Sequence, residues 1–286
     1  GVSYEAVSEA NPDILYLSIS GFGQDGPMRD RPAMDPVLQA FTGLMSVNKG
    51  PTGVPQRFGV IVCDMATALY AFQAVAVSLY ARRDAREGRH IQANLMQAAG
   101  CFQSIRMLLN YMEGGKMVPG RVPSAIFPTR DGWVLILVFK EEEFPALCDI
   151  IGEPALANDP RFADNAARIA NEADLMPLLN EACGKIDSGT LCAGLAEARI
   201  MHEKVNEFAD FLKHPQVEAT GVISWLDHPG MGCIPMPNVP GLQVLADGAP
   251  LALAPGIGQH THEILTAHGY GQSEITAFAN RGVIAG

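Results

Sequence analysis

Arg57-Phe58-Gly59-Val60-Ile61-Val62-Cys63-Asp64, then the run Met65 to Ala81 closed by Arg82-Arg83, is the stretch on which the reading of the chain turns. The first part is a short apolar run ending on a single acid. The second mixes small and large apolar residues in helical proportion, holds no Gly or Pro, and finishes on two cations. This pattern predicts a helix over 65–81, with Asp64 as its N-cap and the arginines facing the negative end of the helix dipole. The run approaches the length of a membrane span, but Thr67, Gln73 and Ser78 interrupt it. It is expected to be a buried core helix.

Asp64 has two readings. As an N-cap, its carboxylate accepts the first free backbone N–H groups of the helix, worth about 1 kcal/mol. As a nucleophile, the same carboxylate stands at the positive end of a helix and is aimed into a cleft. One oxygen can cap while the other reacts, so spacing alone leaves both open.

Composition narrows the classes. At 286 residues the chain can bury one large core or two domains, and 48% hydrophobic with 18% charged residues is ordinary globular usage. A net charge of −11, with no Lys/Arg run and no aromatic-basic interleaving, argues against a nucleic-acid or anionic-membrane surface. Six cysteines (63, 101, 148, 183, 192, 233) form no C-x-x-C pair. Buried thiols in a reducing cytoplasmic setting are expected, and no metal. The N-terminus carries no signal-peptide pattern.

Along the chain, Ile14 to Ser20 reads as a buried strand. Gly21-Phe22-Gly23-Gln24-Asp25-Gly26 follows as a formal G-x-G-x-x-G. Pro27 and Asp30-Arg31-Pro32 cannot build the helix that a dinucleotide site needs, so a loop pressed close to a neighbour is expected. Asp35 to Val47 fits one amphipathic helix, 89–95 a strand and 96–112 a helix. Gly114 to Pro128 reads as a linker, and Trp133 to Phe139 as a strand. Helices are expected over 142–151, 171–185, 188–198 (capped by Ser188) and 203–213. Gly221 to Pro255 reads as short strands broken by Pro and Gly, and Thr261 as the cap of a last helix. His260 and His262 lack a third ligand nearby.

Several stretches together resemble the class III CoA-transferase family, of CaiB/BaiF type, whose sister branch is the 2-methylacyl-CoA racemases. They are Asn11-Pro12-Asp13-Ile14-Leu15-Tyr16 with Ser18 to Gly23 and Gly26-Pro27; Asp35 with Gln39-Ala40 and Gly43-Leu44-Met45; Gly59 through Asp64; and Arg83 with Gly88-Arg89. Phe127-Pro128-Thr129, Asp159-Pro160-Arg161-Phe162 with Asn165 and Arg168, His214-Pro215-Gln216-Val217 and Gly258-Gln259-His260-Thr261 continue the likeness.

The resemblance implies an α/β fold: an open, mostly parallel Rossmann-like sheet with an inserted small α+β domain, in an interlaced dimer. It places a large domain over 1–114, the small domain over 115–212, and a segment 213–286 returning to the large domain. It makes Asp64 the nucleophile of reversible CoA transfer between carboxylic acids, through mixed anhydrides and an aspartyl-CoA thioester. Acyl-CoA and an acceptor acid are the substrates, and no tightly bound cofactor is expected. Met34, Asp35 and Gln39 become candidate substrate-binding residues, and Arg31 a candidate contact for the CoA phosphates.

Two other functions are expected to compete. The racemases pair an Asp at the Asp64 position with a His where Met34 stands here, and a thioether exchanges no protons. Family members also begin with a nucleotide-binding half-domain that this sequence lacks. A partner chain supplying it, or an inactive subunit, is the corresponding expectation. The family's glycine-rich covering loop would fall at Gly114-Gly115 to Gly120, interrupted here by Lys116-Met117-Val118-Pro119.

Overall fold

A computed structural model describes residues 2–50, 52–84, 86–115, 119–249 and 253–285. The chain divides into two compact units, 1–119 and 120–286, each described by itself.

In the first unit, helix α1 (Tyr4–Ala10) precedes β1 (Leu15–Ser20), and two short helices follow, α2 (Asp35–Phe41) and α3 (Leu44–Val47). The long helix α4 (Val62–Ala81) leads to β2 (Arg89–Asn94), then α5 (Leu95–Phe102) and α6 (Ser104–Met112). β1 and β2 pair in parallel, from Leu15 opposite Arg89 to Ser20 opposite Asn94. A parallel pair needs a long crossover, and α2 to α4 supply it. The α/β class is therefore as expected; of the anticipated open sheet, the described residues of this unit hold this one parallel pair.

The loop after β1 enters no helix until Asp35, so the chain does not run from it into the helix that a dinucleotide fingerprint requires. It is pressed against a neighbour instead: a Cβ on Gly21 would lie 2.1 Å from that of Ala33. The expected helix 35–47 is two, because Gly43 takes φ +82 and ends the first. The expected helix 96–112 likewise breaks at Gln103, whose Nε2 donates to the Thr42 carbonyl at 2.8 Å.

α4 departs most from expectation. Its buried residues are Cys63, Ala66, Thr67, Ala71 and Ser78, a stripe of small side chains at helical spacing. Its large residues face outward: Met65, Leu69, Phe72, Val77 and Tyr80 are all exposed. The prediction of a buried core helix is corrected accordingly. By length and composition it is also the one helix among the described residues apolar enough to cross a membrane.

The second unit opens on an antiparallel sheet, β3 (Ser124–Thr129) and β4 (Gly132–Leu137). Helices α7 (Glu143–Ile150), α8 (Asn165–Ala170), α9 (Glu172–Cys183) and α10 (Ser188–Glu197) follow, and β5 (Met201–Lys204) completes the sheet in the order β3-β4-β5. Helices α11 (Phe208–Leu212) and α12 (Pro215–Thr220), the hairpin β6 (Ile223–His228) and β7 (Gly232–Pro237), and helices α13 (Thr261–Ala267) and α14 (Gln272–Asn280) end the chain. The core packs Phe127, Phe144, Phe162, Leu147, Leu175, Leu179, Leu191 and Leu195 between sheet and helices. Each such burial contributes about 1.5–3 kcal/mol.

Three expectations fail here for identifiable reasons. Part of the supposed linker is β3, where Pro128 is tolerated because β3 is an edge strand; Lys116, Met117 and Val118 lie outside the described residues. The supposed helix 203–213 begins as β5, since pairing with β4 overrides local preference. Asp187, not Ser188, caps α10, accepting the Thr190 amide at 2.9 Å. The buried Arg168 ties this unit together: it donates to the carbonyls of Val122 (2.7 Å) and Phe162 (3.3 Å) and to Glu141 (2.9 Å), and lies over the Phe144 ring.

Candidate active site

The start of α4 can be accounted for one amide at a time. The first turn of a helix has N–H groups without intrahelical partners. Here Ile61, at φ −78° and ψ 62°, forms an inverse γ-turn in which the Val62 amide donates to the Val60 carbonyl at 2.9 Å. The Cys63 and Asp64 amides donate to Oδ2 of Asp35, at 2.6 and 3.3 Å. The cap of α4 thus comes from the first residue of α2. This corrects the reading of Asp64 as N-cap: Asp64 is the third residue of the helix, and its carboxylate accepts no hydrogen bond from the described residues.

Asp35 is 2% exposed and holds α2 against α4. Its other oxygen, Oδ1, accepts from Gln39 Nε2 at 2.5 Å. Gln39 also donates to the Val60 carbonyl (3.2 Å) and accepts the Phe58 amide (2.9 Å). The segment ahead of α4 is thereby fastened to α2 at two points. Below this hub lies the small cluster of Phe22, Leu38, Leu44, Cys63 and Ala99.

Charge follows from burial. Asp64 is partly buried, and its carboxyl is held above the ordinary range, first by burial and then by the Asp35 carboxylate. The positive end of the helix dipole pulls the other way, but Asp35 already occupies it. Burial, with Asp35 adding, pushes the neighbouring Cys63 thiol up to about 11. Of the two carboxyl groups of this hub, that of Asp64 is the one open to solvent.

Residues 1–261 match the sequence model of CoA-transferase family III. The chain belongs to this family. It is 28% identical to succinate–glutarate CoA-transferase of Agrobacterium fabrum, over 93% of this chain and 68% of that protein. It is 30% identical to succinyl-CoA:glutarate CoA-transferase of Homo sapiens, over 93% of this chain and 62% of that protein. The chain therefore spans about two thirds of the length of such relatives. Among solved structures, a CAIB/BAIF family protein from Brucella suis superposes with TM-score 0.81 at 29% identity, over 93% of this chain and 71% of that one. Rv3272 from M. tuberculosis shares the fold, with TM-score 0.76 at 22% identity over 92% and 72% of the two chains.

Within this family III chain, Asp35, Gln39 and Asp64 come together at one helix start. Met34, whose carbonyl accepts the Val37 and Leu38 amides, is 72% exposed at the head of α2. Arg31 is exposed in the preceding loop, its guanidinium 5.5 Å from the Phe22 ring centroid. A cavity of about 210 Å³ in the same unit is lined by Tyr70, Gln92, Asn94, Gln97 and Cys101, and Asp64 is not part of its wall. In the second unit, His262 lies 2.5 Å from the Gln272 side chain and His260 near Glu263. No group of three His, Cys, Asp or Glu among the described residues could hold a metal ion. Val60 and the γ-turn at Ile61 escaped the sequence reading, because neither leaves a residue-type signature.

Proposed function

We propose that the protein transfers CoA between carboxylic acids, with Asp64 as the covalent nucleophile. The observation that carries this reading is the division of labour between two aspartates: Asp35 satisfies the helix amides, which leaves the Asp64 carboxylate partly exposed and unpartnered. A carboxylate raised in basicity by its surroundings is the better nucleophile.

The chemistry balances without a proton being moved. An Asp64 oxygen attacks the thioester carbonyl of an acyl-CoA; the C–S bond breaks and CoA leaves as thiolate, giving a mixed anhydride. The thiolate attacks the aspartyl carbonyl and expels the donor acid as carboxylate, giving aspartyl-CoA thioester. The acceptor carboxylate then attacks that carbonyl and expels the thiolate again. The thiolate finally attacks the acceptor's acyl carbon and releases Asp64. Each adduct is comparable in energy to the substrate thioester, so every step is reversible.

The relatives' names pair succinate or succinyl-CoA with glutarate, and acetyl-CoA with oxalate, which supports a dicarboxylic acid as acceptor. Exposure of Met34 to solvent, with no exchangeable proton, speaks against racemisation. The outward apolar face of α4 supports a homodimer in which a second subunit covers it. Six unpaired thiols are in keeping with a reducing cytoplasmic setting.

Incubation with succinyl-CoA and hydroxylamine, followed by peptide mass spectrometry, tests the central claim. A hydroxamate at Asp64, absent in Asp64→Asn, is expected. Intact binding of CoA with no modification at Asp64 would sink it.

A further inference from the structure

Gln39 is 1% exposed, and each of its polar atoms is engaged. Nε2 donates to Asp35 and to the Val60 carbonyl, and Oε1 accepts from the Phe58 amide. The amide orientation is fixed by these partners: a flip would set oxygen against a carboxylate and a carbonyl, and nitrogen against an N–H. Nothing of the side chain remains for a substrate. What it touches are the two supports of the turn that bears Asp64. Asp35 holds the Cys63 and Asp64 amides from one side. Val60, through its carbonyl, holds the Val62 amide from the other.

We propose that Gln39 is a positioning residue for Asp64, locking the Phe58–Val60 segment and the Asp35 carboxylate into one rigid frame around the first turn of α4. This inference rests on the reading of Asp64 as the nucleophile. A nucleophile attacking a carbonyl must stand at near-attack distance, and a misplacement of about 1 Å costs on the order of a hundredfold in rate. Alanine in its place would release Val60 and Phe58 from α2 without removing any side chain of the cluster of Phe22, Leu38, Leu44, Cys63 and Ala99. The turn could then shift while the core beneath it stayed packed.

The test measures the rate of Asp64 hydroxamate formation against succinyl-CoA concentration for the wild type, Gln39→Ala and Gln39→Glu. For Gln39→Ala the saturating rate is expected to fall about ten- to hundredfold, with the half-saturating concentration changed by less than about twofold. Gln39→Glu keeps an acceptor for the Phe58 amide but sets an oxygen against the Asp35 carboxylate and the Val60 carbonyl, and is expected to lose at least as much. A folded Gln39→Ala that traps at the wild-type rate overturns the proposal. Should that variant not fold, amide hydrogen exchange of the wild type decides. The Phe58 and Cys63 amides are expected to be protected and to open together, and a Phe58 amide exchanging as in a free peptide overturns the proposal. A wild type that yields no hydroxamate, yet protects both amides, removes the nucleophile reading and leaves the frame standing as a structural one.

Discussion

In the second unit the helices α7, α9 and α10 turn their large side chains inward onto the β3-β4-β5 sheet, and Phe127, Leu175, Leu179, Leu191 and Leu195 are fully buried. In the first unit the longest helix does the reverse. α4 seats small residues against its own unit and presents Leu69, Phe72, Val77 and Tyr80 to solvent, and α6 exposes Ile105, Leu108 and Met112. Both regions are rich in apolar residues; they differ in where the large ones point. An apolar stretch therefore predicts burial without saying against what. A helix apolar on every side is stable in water only if something covers its outer face.

Mutations can break or sharpen this contrast. Phe127→Ala removes a ring from the closed core of the second unit and should cost about 3–5 kcal/mol by denaturant titration. A loss below about 1 kcal/mol would show that core to be looser than described. Asp35→Ala, in the first unit, strips the acceptor from two helix amides and from Gln39. It should cost about 2–4 kcal/mol, as a lost cap plus buried orphaned donors. Phe72→Ser on the outer face of α4 should change the stability of the dilute chain by less than about 0.5 kcal/mol. A midpoint that rises with protein concentration in the wild type but not in this variant would show a second subunit covering that face. Thiol labelling reads the same contrast more gently. Cys101 and Cys233 are exposed and should react, whereas Cys63, Cys148 and Cys183 are buried, with thiols pushed up to about 11, 12 and 11, and should stay silent until unfolding.

Elements with a local cause could be read in advance. β1 and β4 follow from apolar runs bounded by turn residues, β2 from the alternation of apolar and polar residues, and α4 from its unbroken composition. Elements that depend on distant partners could not. β5 exists because β4 lies beside it, and Glu203-Lys204 gives no hint of that. The candidate site divides the same way. The family motif brought Asp35, Gln39 and Asp64 together as candidates. Which acid caps α4 is decided by a contact across 28 residues, from Asp35 to the Cys63 amide, and spacing favoured the adjacent acid. Arg168 was legible as part of a motif, but its burial under Val122, Phe162 and Glu141 was not.

The smallest expected stability effect is also the one that separates the two aspartates most sharply. Asp64 makes no capping hydrogen bond, so Asp64→Asn removes no partner. Its folded carboxyl is raised above the unfolded value, by burial first and by Asp35 second. The ionised form is therefore disfavoured in the fold, and the unfolded chain gives up its proton at lower pH. Wild-type stability accordingly falls as pH climbs from the unfolded carboxylate value, about 3.9, through the raised folded one. The asparagine variant escapes that loss. It should be slightly more stable than wild type at pH 7, and the gap should close as pH drops toward 3. The helix dipole opposes this by about 0.3–1 kcal/mol for an acid in the first turn, but Asp35 already fills that end of α4, which keeps the sign. Thermal melts of both proteins across this range are the measurement. A variant that is less stable at neutral pH would mean that Asp64, like Asp35, is holding the helix together.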